Sequence, residues 1–149
     1  MYNGGLGVTN SGEDGSHHRV DNGTQVDYLL FEFDQDVTVD KAFLEYVGHD
    51  SDISIWIGDS NGAEISSLSD SLLSSYVKEN NFTHSSSSRW ADFNSANLTG
   101  DTVIISLSAA GETSIGNYVN IATVTAGSVS DEDQSGYTNP EGEPEPEPQ

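Results

Sequence analysis

Ile53-Ser-Ile-Trp-Ile-Gly58 is the stretch that decides the fold. Successive side chains of an extended strand point to opposite faces, so Ile53, Ile55 and Ile57 share one side while Ser54 and Trp56 share the other. The run is short and is followed by Asp59-Ser-Asn-Gly62, residues that favour turns. Outward from it, the same period of two recurs. Leu29, Phe31 and Phe33 alternate with Leu30, Glu32 and Asp34, and further runs fall at Lys41–Val47, Ser88–Phe93, Thr102–Ser108 and Asn117–Thr125. Gly48–Ser51 and Gly111–Gly116 add the same kind of punctuation. Seven or eight short strands so spaced predict an all-β fold, an antiparallel β-sandwich. A helical stripe is suggested only at Ile65–Lys78, where Ile65, Leu68, Leu72, Leu73, Tyr76 and Val77 approximate an i, i+3, i+4 pattern. Six serines weaken that pattern, which leaves two alternatives, a short helix or a strand with a long loop. No repeat of solenoid or propeller length is visible.

A chain of 149 residues has room for one domain. Its 25 acids face four bases, a formal charge of −21. That field repels nucleic acid and anionic membrane, and self-repulsion destabilises a compact state unless salt or bound ions offset it. Divalent-cation sites and adaptation to a saline habitat both fit. Cysteine is absent, so disulfides, thiolate nucleophiles and Cys-type metal sites are excluded. No apolar run approaches the roughly 20 residues that span a bilayer, and no basic and apolar leader follows Met1, so any export signal is expected to have been removed. All four prolines lie in the last ten residues, among repeated Glu. Residues 127–149 are therefore expected to be a disordered, polyproline-like spacer after a sandwich domain at 1–126. Seven of the 25 acids lie in that spacer, which leaves 18 in the body against the four bases.

The densest polar cluster, Asn10–Thr24, holds Glu13, Asp14, Asp21 and Asn22 among glycines. Calcium takes six to eight oxygens from carboxylates, amides and carbonyls, which such a loop supplies, so these four are the candidate Ca²⁺ ligands. The alternative is a solvated loop held by Asx turns. His17 and His18 are adjacent and point to opposite sides of an extended chain, so they cannot chelate one ion from a regular strand. Asp34, Asp36 and Asp40 flank one turn and Asp50 and Asp52 precede the Ile53 strand, positions where Asp commonly makes turns. There is no G-x-S-x-G elbow, and among 25 acids some pair lies at a workable separation by chance, so the sequence gives no reason to expect an enzyme. Trp56, Trp90, Tyr28, Tyr46, Tyr76 and Tyr118 would serve as a sugar-stacking platform if gathered on one exposed face, although packing in the core or on a sheet face is the expected role of both tryptophans. Asn22-Gly-Thr, Asn81-Phe-Thr and Asn97-Leu-Thr match the glycosylation sequon, a match that arises readily by chance in a chain this rich in Ser, Thr and Asn.

Gly5-Leu-Gly-Val, Ser16-His-His-Arg-Val-Asp-Asn22, Asp27-Tyr-Leu-Leu-Phe-Glu-Phe-Asp34 and Ala42-Phe-Leu-Glu-Tyr-Val-Gly-His-Asp-Ser-Asp-Ile-Ser-Ile-Trp-Ile-Gly58 together resemble the exosortase-dependent, PEP-CTERM-type bacterial surface proteins. Thr102-Val-Ile-Ile-Ser and Asn117-Tyr-Val-Asn-Ile-Ala-Thr-Val resemble that family's last two strands. The likeness covers most of residues 4–126 and falls on His18, Asp21, Asn22, Asp50 and Asp52. Two departures stand out. Gly116-Asn117 occupies the place of the family's acidic pair, and the Pro-Glu-Pro box with its hydrophobic helix and basic residues is absent, as expected of truncation or cleavage ahead of it.

The resemblance implies an exported surface or biofilm-matrix protein of jelly-roll-like shape. The order of an Asp-Asn loop and then a strand ending in Glu-Phe-Asp is also similar to galactose-binding-like sandwiches with a calcium ion near the first loop. A calcium-stabilised, non-catalytic surface module is therefore the expected function, with a self-assembling fibre subunit or a carbohydrate-binding module as alternatives. The expected partners are divalent cations, with extracellular polysaccharide or copies of the chain itself as further candidates. Nucleic acid and direct membrane insertion are not expected.

Overall fold

The computed structural model describes residues 5–8, 19–22, 26–63, 65–108, 118–126 and 129–132. In chain order the elements are β1 (Val20–Asp21), β2 (Tyr28–Val37), β3 (Lys41–Gly48), β4 (Ile53–Gly58), α1 (Asp70–Ser75), β5 (Val77–Asn81), β6 (Arg89–Asp92), β7 (Gly100–Leu107), β8 (Tyr118–Ala126) and β9 (Val129–Glu132). They form two sheets, one ordered β1-β8-β3-β6 with β9 also on β8, the other β2-β7-β4-β5. Each of these strand pairings is antiparallel. The chain is an all-β sandwich, as the alternation predicted.

The core forms where the two inner faces meet. Ile53, Ile55 and Ile57 of β4 and Val103, Ile105 and Leu107 of β7 lie in one cluster with Ala42 and Leu44 of β3, Ala91 of β6, and Val119, Ile121 and Val124 of β8. Leu29, Phe31 and Phe33 of β2 pack on its margin. Each fully buried aliphatic side chain contributes about 1.5–3 kcal/mol relative to exposure, so a chain only 34% hydrophobic still supports a stable inner layer.

Strand β4 is buried on both faces. Its outward Trp56 joins Ile104 and Tyr76 in a second cluster, edged by Tyr28, Leu30, Ile65, Leu68, Leu72 and Leu73. The segment that covers this face resolves the two alternatives for Ile65–Lys78, because it forms a helix and then a strand. Ser69 caps α1 by accepting from the Leu72 amide at 3.2 Å, and Asp70 stands in the first turn, where the helix dipole favours an acid. At Tyr76 the chain is extended again and enters β5. A Cβ on Gly58 would lie 2.0 Å from Tyr76 Cδ1, so the tyrosine ring lies against bare backbone there and only glycine fits.

Edge strand β2 carries Glu32, Asp34, Gln35 and Asp36 exposed, which blunts the edge against pairing with another chain. At one rim Asn94, 2% exposed with φ +60°, donates to the Val39 and Leu98 carbonyls (2.9 and 2.8 Å) and accepts from the Leu98 amide (2.7 Å). Its own amide donates to the Glu79 carboxylate, and Asn81 Nδ2 donates to the Asp92 carbonyl at 2.7 Å, so β5 and β6 of opposite sheets are tied together. Val129–Glu132, which the composition assigned to the spacer, pairs as β9 with β8 from Ala126↔Val129 to Thr123↔Glu132. The rest of the Pro-Glu segment lies outside the described residues.

Candidate metal centre

The strongest convergence of ligating side chains among the described residues lies just before β4. Antiparallel pairing of β4 with β5 sets Ile53 opposite Asn81 and Ile57 opposite Val77. Continuing that register three residues beyond β4 brings position 50 opposite position 84. Asp50, Asp52 and His84 each offer one ligand atom, and these atoms lie within 4.8 Å of one another.

The loop is held tightly by its backbone. The Asp50 amide donates to the Gly48 carbonyl at 2.9 Å, and the Ser108 amide donates to the Asp52 carbonyl at 2.8 Å, a continuation of the β4–β7 ladder. Each carboxylate spends one oxygen on a nearby amide. Asp50 Oδ1 accepts from the Ser51 amide at 2.7 Å, and Asp52 Oδ1 accepts from the His84 amide at 2.8 Å. The second oxygens face the imidazole, with His84 Nδ1 at 2.9 Å from Asp52 Oδ2 and 3.5 Å from Asp50 Oδ2. Both acids are buried, 7% and 2% exposed, whereas the His84 side chain is 65% exposed. His84 has φ +52°, a left-handed conformation in which His is enriched among non-glycine residues. Asp52 Oδ2 is itself buried, and its contact with Nδ1 is an ion-pair distance without hydrogen-bond alignment.

Arg89 closes the other side. Its Nε donates to Ser51 Oγ at 2.8 Å and its Nη2 to the Ser51 carbonyl at 2.9 Å. Burial pulls the guanidinium's pKa down, and the carboxylates of Asp52, Asp50 and Asp92 oppose that shift. The facing oxygens of the two carboxylates lie within 4.8 Å of each other, and positive charge beside them offsets their repulsion. Arg89 supplies one charge against two. A metal ion bound by Asp50 Oδ2, Asp52 Oδ2 and His84 Nδ1 would supply the remainder.

The residues singled out in the first loop divide differently. Glu13 and Asp14 lie outside the described residues, as do His17 and His18. Asp21 sits on β1, paired with Tyr118, and its amide donates to Asp27 Oδ2 at 3.1 Å while the Asp27 amide returns a bond to the Asp21 carbonyl at 3.0 Å. The neighbouring Asn22 is 7% exposed, and its Oδ1 is buried without a hydrogen-bond partner, an acceptor suited to a cation. Of the other acids, Asp34 and Asp36 are exposed on β2 and Asp40 is half-buried.

Of the aromatics, Trp56 is 8% exposed, beneath α1 and against Tyr28 at 5.8 Å between ring centroids, with Lys78 Nζ 5.2 Å from its ring. Trp90 is 47% exposed on the outer face of the first sheet, 5.2 Å from Phe43 and with Lys41 Nζ 5.1 Å from its ring. A groove at the end of β4 is lined by Ser60, Ser66, Ser67, Ser69, Ser71 and Ser75 together with Ile65, Leu72 and Tyr76. Among the described residues no helix is long and apolar enough to cross a membrane.

Compared with protein-family models, with curated proteins and with solved structures, the chain matches none.

Proposed function

We propose that the chain is a non-catalytic module of the extracellular or bacterial cell surface, a jelly-roll-like, galactose-binding-like sandwich whose rim is stabilised by bound divalent cation. One observation carries this reading: the buried carboxylates of Asp50 and Asp52 and the imidazole of His84 each turn one ligand atom to a common point, all within 4.8 Å of one another. Two buried carboxylates side by side are costly unless positive charge, from the imidazole or from a bound ion, offsets them. The formal charge of −21 supports the same view, since a surface so acidic is best tolerated where cations are plentiful. In the first loop Asp21 and Asn22, with Glu13 and Asp14, offer oxygen donors alone, and calcium is the ion proposed there. Thermal melts test the reading. Millimolar divalent cation is expected to raise Tm over EDTA beyond the effect of NaCl at equal ionic strength, because an ion bound only by the folded state stabilises it. Equal melting in EDTA and in every divalent ion would reject it.

A second reading is favoured by Trp90. A half-exposed indole beside Phe43 and Lys41 on an outer sheet face has the apolar surface on which a sugar ring stacks, with extracellular polysaccharide as the partner. Self-assembly through the β2 edge is disfavoured by its exposed acids.

A further inference from the structure

We infer that the site formed by Asp50, Asp52 and His84 takes a borderline d-block divalent ion of the zinc class in preference to calcium. This rests on the cation-stabilised reading above and specifies which ion this site holds. Donor chemistry decides the class. Calcium and magnesium take oxygen, and calcium needs six to eight such ligands. Here the side chains offer two carboxylate oxygens and one imidazole nitrogen, and imidazole suits zinc, copper, iron and nickel. Three protein ligands with a fourth position left open is also a coordination number at home on zinc and short of what calcium requires.

The geometry fits the same ion. Oδ1 of each acid is committed to a backbone amide, so the remaining oxygens, one from each residue, face His84 Nδ1 at 2.9 and 3.5 Å. Such amide bonds orient the carboxylates before any ion arrives, as outer contacts do for metal ligands generally. The His84 side chain is 65% exposed, so an ion has a path in from solvent. Arg89 does not occupy the site, because both of its donated bonds go to Ser51.

The test uses the full chain, zinc and calcium as competing ions, and cobalt(II) as a spectroscopic stand-in for zinc. His84→Gly removes the nitrogen donor at a backbone angle that glycine accepts without strain, so the variant is expected to fold. Wild-type protein is expected to bind zinc more tightly than calcium, and cobalt is expected to give visible d–d bands. In H84G zinc affinity should fall by at least about tenfold, the bands should be lost, and any calcium response should be unchanged. Zinc bound equally by wild type and H84G would overturn the inference. Calcium stabilisation of the wild type with no zinc binding would overturn it too, while leaving the cation-stabilised reading intact. If no ion binds the wild type and H84G is simply less stable, His84 is a counter-ion only and both fail.

Discussion

Arg89→Met keeps a long apolar stem and removes the positive group beside Asp50 and Asp52. Two bonds from a charged donor are lost, to Ser51 Oγ at 2.8 Å and to the Ser51 carbonyl at 2.9 Å. The larger effect falls on the acids, which are 7% and 2% exposed and lose the guanidinium charge that offsets their mutual repulsion. Removing one partner of a fully buried pair costs about 3–5 kcal/mol. Arg89 is only half-buried, so solvent screens part of the effect and about 2–4 kcal/mol is expected. For a domain of this size that corresponds to a fall in Tm of about 10 °C. Urea unfolding in EDTA should show a lower midpoint with an unchanged slope, since the compactness of the two end states is not altered. Asp52→Asn provides the decisive cross-check. With one carboxylate neutralised, Arg89→Met should cost less, a coupling well outside the about 0.5 kcal/mol within which independent sites add. A cost for Arg89→Met below about 0.5 kcal/mol, or strict additivity with Asp52→Asn, would refute the counter-charge role.

Acid titration isolates a second carboxylate. Ser60 holds the Asp101 pKa below the usual range through its hydroxyl at 2.5 Å and its amide at 2.7 Å, with Thr102 Oγ1 also donating at 2.7 Å. A pKa lowered in the folded state adds stability in full above the unfolded value of about 3.9, and that stability is lost as pH falls through the folded value. The stability gap between wild type and Asp101→Asn should therefore be constant from pH 7 to pH 5 and close below about pH 4; parallel curves down to pH 2 would sink this assignment. On the carbohydrate reading, a glycan that stacks on Trp90 should shift wild-type tryptophan emission to shorter wavelength and leave Trp90→Phe unmoved. An unchanged spectrum across a panel of neutral and acidic polysaccharides would remove that reading.

The parts of the fold that could be read from the sequence are those in which both neighbours in the sandwich reward alternation. β4 and β7 each bury one aliphatic face between the sheets, so Ile53, Ile55 and Ile57 announce themselves, as do Val103, Ile105 and Leu107. β5 gives no such signal. Val77-Lys-Glu-Asn-Asn81 is an edge strand with little to bury, fixed by its ladder to β4 and by the bonds of Glu79 and Asn81. Trp90 behaves similarly, since on β6 its neighbour Ala91 faces the core and the indole faces out. Asp50 and Asp52 are visible as acids before a strand and lie within the family resemblance, but their local pattern is that of ordinary turn residues. Their partner is more than 30 positions away, and it is found only once the β4–β5 register is known. A chain that pairs residue 53 with residue 81 must bring residue 84 back to the start of β4, whatever its side chain. The signal was therefore present as pairing, and only pairing could reveal it.

That placement also divides the acidity into two populations with different physics. Glu32, Asp34 and Asp36 are exposed on the β2 edge, where mobile ions screen them within about a Debye length. Asp27, Asp50 and Asp52 are buried, and each accepts a hydrogen bond from a backbone amide. Sodium chloride acts on the first population and leaves the second nearly untouched, because burial shields it from the ionic atmosphere. A divalent ion bound at Asp50 and Asp52 would do the reverse. Saline adaptation would act through the surface acids, and ion binding through the buried acids of the rim. The two can coexist in this chain because they draw on different residues.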